Sequence, residues 1–228
     1  MSNYRPPSAF SMLPPVVKNI LIINVICFLA QLNPVINAWL TEHCAAFYVD
    51  SPNFRIWQVF TYAFLHGGYA HLFFNMFAVF VFGPVIENYL GSKRFLTYYM
   101  LTVIGAIAMH FLITGIQIYN LSGSFFPIHQ DIISANEFRY PPVLGASGAV
   151  FGLLIAFGLL FPNMMLYIYF FFPIKAKYFV IIYGAIELYM AIQNNPNDNV
   201  AHYAHLGGML FGFILLKVWK IRKPGSYY

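Results

Sequence analysis

The chain has 228 residues, of which 60% are hydrophobic, 20% aromatic and only 8% charged, with a formal net charge of +5. A soluble domain carries roughly 25% charged residues, so this chain cannot cover a water-facing surface. A soluble globular enzyme, a disordered chain, a coiled coil and a basic nucleic-acid binder are excluded, and the composition fits lipid as solvent.

At roughly 20 residues per spanning helix, the length leaves room for about six spans. Residues 1–15 read as an N-terminal segment, 16–219 as one membrane domain and 220–228 as a tail. The first span covers about 16–32, opened by Pro14 and Pro15, which suit a helix start. It is too long for a signal peptide and lacks a small-residue cleavage site. Asn33 to Gly68 mixes aromatic and polar residues, as an interfacial loop would. The second span covers about 71–90, a tight turn follows at Gly91-Ser92-Lys93-Arg94, and the third covers about 95–118. Tyr119 to Leu144 reads as a polar loop, and the fourth span covers about 145–161. Tyr167 to Phe172 is an aromatic membrane-surface loop ending at Pro173. The fifth span covers about 178–193, is broken by Asn194-Asn195-Pro196-Asn197, and is followed by the sixth at about 201–219. Cys27 and Cys44 make no disulfide framework.

An even number of spans places both termini on one side. That side would hold Arg5, Lys18, Lys93, Arg94, Lys175, Lys177, Lys217, Lys220, Arg222 and Lys223, and the other only Arg55 and Arg139. The bias predicts cytoplasmic termini. The fold class expected is therefore an all-α polytopic membrane protein, a bundle of six transmembrane helices with both ends inside.

Ionisable residues inside spans point to function. With this orientation, the second, fourth and sixth spans bring Ser147, His205, His71 and Asn75 to a similar depth below the outer surface. His71 and Asn75 are four apart and share a helix face. Gly148 and Gly152 on the fourth span, and Gly208 and Gly212 on the sixth, form small-residue stripes that let backbones approach closely. Packing along them would bring Ser147 Oγ to His205, the nucleophile and base of serine hydrolysis. A helix start at Ser147 also offers free N–H groups for an oxyanion, with His71 and Asn75 as further donors. No acidic residue is expected to orient His205, so the pattern reads as a dyad, with Phe151 packing on the imidazole. Glu187, well inside the fifth span, reads as a group bonded to a neighbouring helix. A metal site built from His66, His71, His202 and His205 is the weaker reading: HExxH is absent and no carboxylate joins the set. No metal and no cofactor are expected.

Trp57-Gln58-x-x-Thr61 to His66-x4-His71-x3-Asn75, then Gly145-x-Ser147-Gly148, then Ala204-His205-x-x-Gly208-x3-Gly212, resembles the rhomboid intramembrane serine proteases. The resemblance covers roughly Val16 to Trp219 and is to the basic six-span bacterial form. It implies Ser147 as nucleophile, His205 as general base, and His71, Asn75 and the Ser147 N–H as oxyanion hole. It implies a first loop lying partly in the outer leaflet, and Glu87-x-x-x-Gly91 as an element tying the second span to its neighbours. Gln58 departs from the Trp-Arg pair common in the family, which puts an arginine contact in that loop in doubt. The implied function is an endopeptidase of the cell (inner) membrane, with its site toward the outer side. Its partners would be the lipid bilayer and transmembrane-helix substrates, with no nucleic acid. His66 and His202 would line a water-filled cavity, and the fifth span with the loop after it would admit the substrate. The rival readings are an inactive rhomboid-like client binder, which predicts a missing serine or histidine, and a transporter, which predicts polar groups in the inner halves of the spans.

Overall fold

The computed structural model describes residues 13–126, 141–168, 171–193, 198 and 200–225. Arg5, Arg139 and the expected break at 194–197 lie outside the described residues, as do most of the N-terminal segment and the last three residues of the tail. The described chain is mostly helical. In order it forms α1 (Pro15–Gln31), α2 (Pro34–Cys44), α3 (Gln58–Thr61), α4 (Tyr69–Leu90), α5 (Ser92–Ser122), α6 (Ser147–Leu160), strands β1 (Met165–Ile168) and β2 (Phe172–Lys175), α7 (Ala176–Gln193) and α8 (His202–Val218). α4 and α5 are long and apolar enough to cross a membrane, while α1, α6 and α8 are shorter apolar helices.

Each expected span coincides with one helix, with ends shifted by a few residues. The expected tight turn shrinks to Gly91 alone. Its φ of +78° and its N–H bonded to the Glu87 carbonyl at 2.8 Å reverse the chain at once, so Ser92 already opens α5. α5 runs to Ser122, four residues beyond the expected end, and Gly123 at φ +73° stops it. The aromatic stretch after α6 is the antiparallel hairpin β1–β2, with Leu166 facing Ile174.

The first loop is more ordered than its mixed composition predicts. Asn33 caps α2 by accepting from the Val35 and Ile36 N–H groups, and Pro34 takes the first helical position. Exposed Val35, Ile36 and Trp39 give α2 an apolar outer surface. Gln58 is fully buried. Its Oε1 accepts from Phe47 N and Arg55 N, and its Nε2 donates to the carbonyls of Glu42, His43 and Asn53. One amide thus ties the end of α2 to the turn before α3. Ala46 pairs with Val143, so the loop also braces the segment leading into α6.

α6 is apolar all round and is the central helix; eleven of its fourteen residues are buried, from Gly148 to Leu160. α1 starts against α4. The carboxylate of Glu87, 1% exposed, accepts from Val16 N at 3.1 Å, Val17 N at 2.8 Å and Ser92 Oγ at 2.7 Å. It caps a proline-started helix that has no side-chain cap of its own. Removing it leaves two helix N–H groups unpaired in an apolar bundle. Glu87→Ala should therefore lower stability by about 2–4 kcal/mol, read as an earlier thermal unfolding midpoint in detergent. An unchanged midpoint would show that water or another group replaces the cap.

Candidate active site

Ser147 is the first residue of α6. A turn made by Gly145 and Ala146 delivers it, and Gly145 has a φ of +125° that disfavours any side chain. The carbonyl of Tyr62 anchors this turn by accepting from Gly145 N at 2.9 Å. His205 is the fourth residue of α8. The glycine stripes set the distance between these helices. A Cβ on Gly208 would collide with the Gly148 carbonyl, and one on Gly212 would sit 2.9 Å from Ile155 Cγ2 and 3.2 Å from Gly152 Cα. At this approach Ser147 Oγ lies 2.8 Å from His205 Nε2. α5 closes the other side: a Cβ on Gly152 would meet Thr102, and Tyr98 donates its hydroxyl to the Gly152 carbonyl at 2.7 Å.

The Phe151 ring stacks on the His205 imidazole, centroids 4.3 Å apart and 15° from parallel, as the sequence suggested. The expectation that no acidic residue meets His205 is overturned. Glu187 Oε2 lies 2.8 Å from His205 Nδ1 and 2.6 Å from His202 Nδ1. Glu187 lies about 9 Å along the axis below the last residue of α7, and His205 about 4.5 Å into α8. His202 continues the chain of contacts, its Nε2 3.0 Å from Asp198 Oδ2. That hydrogen bond, with one from Val200 N, holds the Asp198 carboxyl below the ordinary aspartate range.

On the opposite side of Ser147 stands His71. The Gly67 N–H donates to its Nδ1 at 3.3 Å, so the neutral ring carries its proton on Nε2. Nε2 lies 2.6 Å from where a Cβ on Gly145 would be, a point itself 3.8 Å from Ser147 Oγ. A donor thus faces the Gly145–Ser147 turn, in space that only a glycine leaves open. Asn75 is buried one turn along, and its Nδ2 donates to the His71 carbonyl at 3.0 Å. That bond uses one N–H of the amide, which serves its own helix.

The four histidines of the weaker metal reading divide into two pairs, His66 with His71 and His202 with His205, with ring centroids 5.0 and 6.0 Å apart. Glu187, His202 and His205 do offer three ligand atoms within 4.8 Å of one another. Yet the Oε2–Nδ1 separations of 2.6 and 2.8 Å are hydrogen-bond lengths, below the roughly 3.3 Å edge of a tetrahedral zinc site. An ion would have to part all three groups.

His66 does not line a wet cavity. It is 2% exposed, its main chain held by Gln31, which accepts from His66 N at 2.9 Å. Burial, then the neighbouring His71, pushes its pKa down to about 3, opposed only in part by the Phe64 backbone. The folded ring resists protonation that an unfolded ring accepts near pH ~6.5. This contribution to stability is complete above pH ~6.5 and is lost progressively as pH falls toward 3. His66→Phe should flatten that part of the acid limb when thermal midpoints are measured across pH 7 to 4. An identical acid limb in the variant would refute the assignment.

The chain matches the Rhomboid domain family over residues 53–220. It is 28% identical to the rhomboid protein YdcA of Bacillus subtilis, over 96% of this chain and 95% of that protein. It is 30% identical to Rhomboid protease GluP of the same organism, over 75% of this chain and 27% of that one. It is 31% identical to RHOMBOID-like protein 1 of Arabidopsis thaliana, over 76% of this chain and 37% of that one. The chain thus spans nearly the whole of one relative and about a third of the other two. The helices with their glycine contacts, the serine–histidine pair and these matches lead to one conclusion: the chain belongs to the rhomboid family, a family of polytopic membrane proteins in which relatives carry the name protease.

Proposed function

We propose that the chain is an intramembrane serine endopeptidase that cuts transmembrane segments near the outer surface of the cell membrane. The observation that carries this reading is the 2.8 Å contact between Ser147 Oγ and His205 Nε2 at the start of a buried helix. Its domain is a six-span bundle over residues 16–219 with both termini cytoplasmic, a reading supported by the positive-charge bias and by the packing of α4, α5, α7 and α8 around α6 and of α1 against α4.

Depth follows from helix length. α6 has 14 residues, about 21 Å at 1.5 Å per residue, against a hydrocarbon core of about 30 Å. It is too short to reach both surfaces, so Ser147 sits recessed under the outer face, below the first loop. The exposed apolar surface of α2 suits that loop to the outer leaflet, and water reaches the half-buried Ser147 from outside.

A transmembrane substrate has all its backbone groups paired internally, so it must unwind locally before it can be cut. Ser147 Oγ attacks the scissile carbonyl carbon while its proton passes to His205 Nε2. The tetrahedral oxygen is met by the Ser147 N–H, the His71 Nε2–H and the free N–H of Asn75. The C–N bond then breaks and the proton moves from His205 to the leaving nitrogen. Water, deprotonated by the same imidazole, hydrolyses the acyl-serine. α7 is the route of entry. Its buried residues are Ala176, Val180, Glu187 and Ala191, with most of its large apolar side chains exposed, so it packs more lightly than α6.

Ser147→Ala should abolish cleavage of a reporter transmembrane substrate while leaving expression and membrane insertion intact. His205→Ala should do the same and also stop fluorophosphonate labelling of Ser147. Wild-type cleavage by Ser147→Ala overturns the proposal, and normal labelling of His205→Ala assigns the base elsewhere.

Asn75→Ala should slow cleavage by about 10²–10³-fold yet leave Ser147 open to the probe, because two oxyanion donors remain. Phe77, half-exposed on the same helix, serves as control, its replacement by Leu costing no comparable rate. If Asn75→Ala loses activity only in proportion to lost folding, its role is structural.

A further inference from the structure

We infer that Glu187 on α7 is the positioning carboxylate of the site, making Ser147, His205 and Glu187 a triad rather than a dyad. The inference rests on the serine-protease reading above. A carboxylate accepts hydrogen bonds and donates none. With Glu187 Oε2 at 2.8 Å, the proton of neutral His205 therefore resides on Nδ1. Nε2 is left with its lone pair directed at Ser147 Oγ, 2.8 Å away. This is the tautomer a general base needs, and the carboxylate also stabilises the imidazolium formed when the serine proton arrives. The proton stops on His205 and Glu187 remains ionised throughout.

Stacking on Phe151 fixes the plane of the imidazole but not its tautomer, because a hydrocarbon ring face does not distinguish the two nitrogens. Glu187 supplies what Phe151 cannot. Glu187 is itself held. His202 Nδ1 donates to the same Oε2 at 2.6 Å, while His202 Nε2 faces Asp198 Oδ2 at 3.0 Å. Both nitrogens of His202 face carboxylate oxygens, a setting that favours the doubly protonated, cationic ring. That cation offsets the charge of Glu187, which is 8% exposed and would otherwise be costly in an apolar bundle. The base sits on α8 and its orienting acid on α7, so the geometry is complete only when α7 is packed against α8.

The test uses the full chain in detergent micelles with a reporter transmembrane substrate, comparing wild type with Glu187→Gln. The amide keeps the shape of the carboxylate but lacks its charge and can present N–H to Nδ1. The triad predicts a fall in kcat of about 10²-fold or more with KM unchanged, and a parallel fall in the rate of fluorophosphonate labelling. The thermal midpoint should stay close to wild type. Wild-type kcat and labelling in Glu187→Gln overturn the triad, as does a loss confined to KM or to the folded fraction. A second measurement needs no folded Glu187 variant. In wild-type protein with ¹⁵N-labelled histidine, His205, assigned by its absence in His205→Asn, should show the neutral tautomer protonated on Nδ1. Protonation on Nε2 overturns the inference. A wild-type protein in which the probe leaves Ser147 unlabelled overturns the serine-protease reading itself, whatever Glu187 does.

Discussion

The site depends on the close approach of α6 and α8. Ser147 and His205 are 58 residues apart in sequence and on different helices, and nothing local holds them together. The glycines do, because backbones meet where side chains would stand: Gly208 against the Gly148 carbonyl, Gly212 beside Gly152. In a bilayer there is no hydrophobic drive to press apolar helices together, since lipid tails are as apolar as leucine. Close van der Waals contact and interhelical hydrogen bonds do that work. A methyl group on either stripe would move the helices apart by more than a hydrogen bond tolerates. The serine–histidine contact is thus a consequence of backbone packing, with α5 closing the third side through Tyr98 and Thr102.

Glu87, Gln58 and Glu187 are buried and each gathers several partners, because an unpaired buried polar group costs more than one in water. Glu87 gathers two backbone N–H groups from α1 and the Ser92 hydroxyl at one end of the bundle. Gln58 gathers five backbone partners in the first loop. Glu187 serves two imidazoles near the other end of the bundle. The first two uses fix the scaffold. The third lies in contact with His205, on a helix with few buried side chains, and joins α7 to α8.

α6 is the shortest of the apolar helices, 14 residues, and the first N–H groups of any helix lack partners within it. The first loop braces the segment that leads into this helix start. That loop has internal order through the Asn33 cap, Gln58 and the Ala46–Val143 pairing, where composition alone suggested an irregular interfacial segment. Gln58 leaves that loop with a buried amide organising it.

Composition and period were enough to place the helices, because a span must be long and apolar and its ends carry prolines, glycines and charges that are local features. The spacing of Ser147 from Gly148 and Gly152, and of His205 from Gly208 and Gly212, was likewise legible, since helical periodicity fixes which residues share a face. α2 and the hairpin after α6 were not, because their short segments owe their form to neighbours rather than to length or period. Glu187 was visible as a charge in a span and readable as bonded to a neighbouring helix, but not as a partner of His205. Depth along two separate helices depends on where each enters the bundle, and a linear spacing carries no information about the offset between them. The sequence determined which groups lie on which helix face; only the packing of α7 against α8 decided that Glu187 of one reaches His205 of the other.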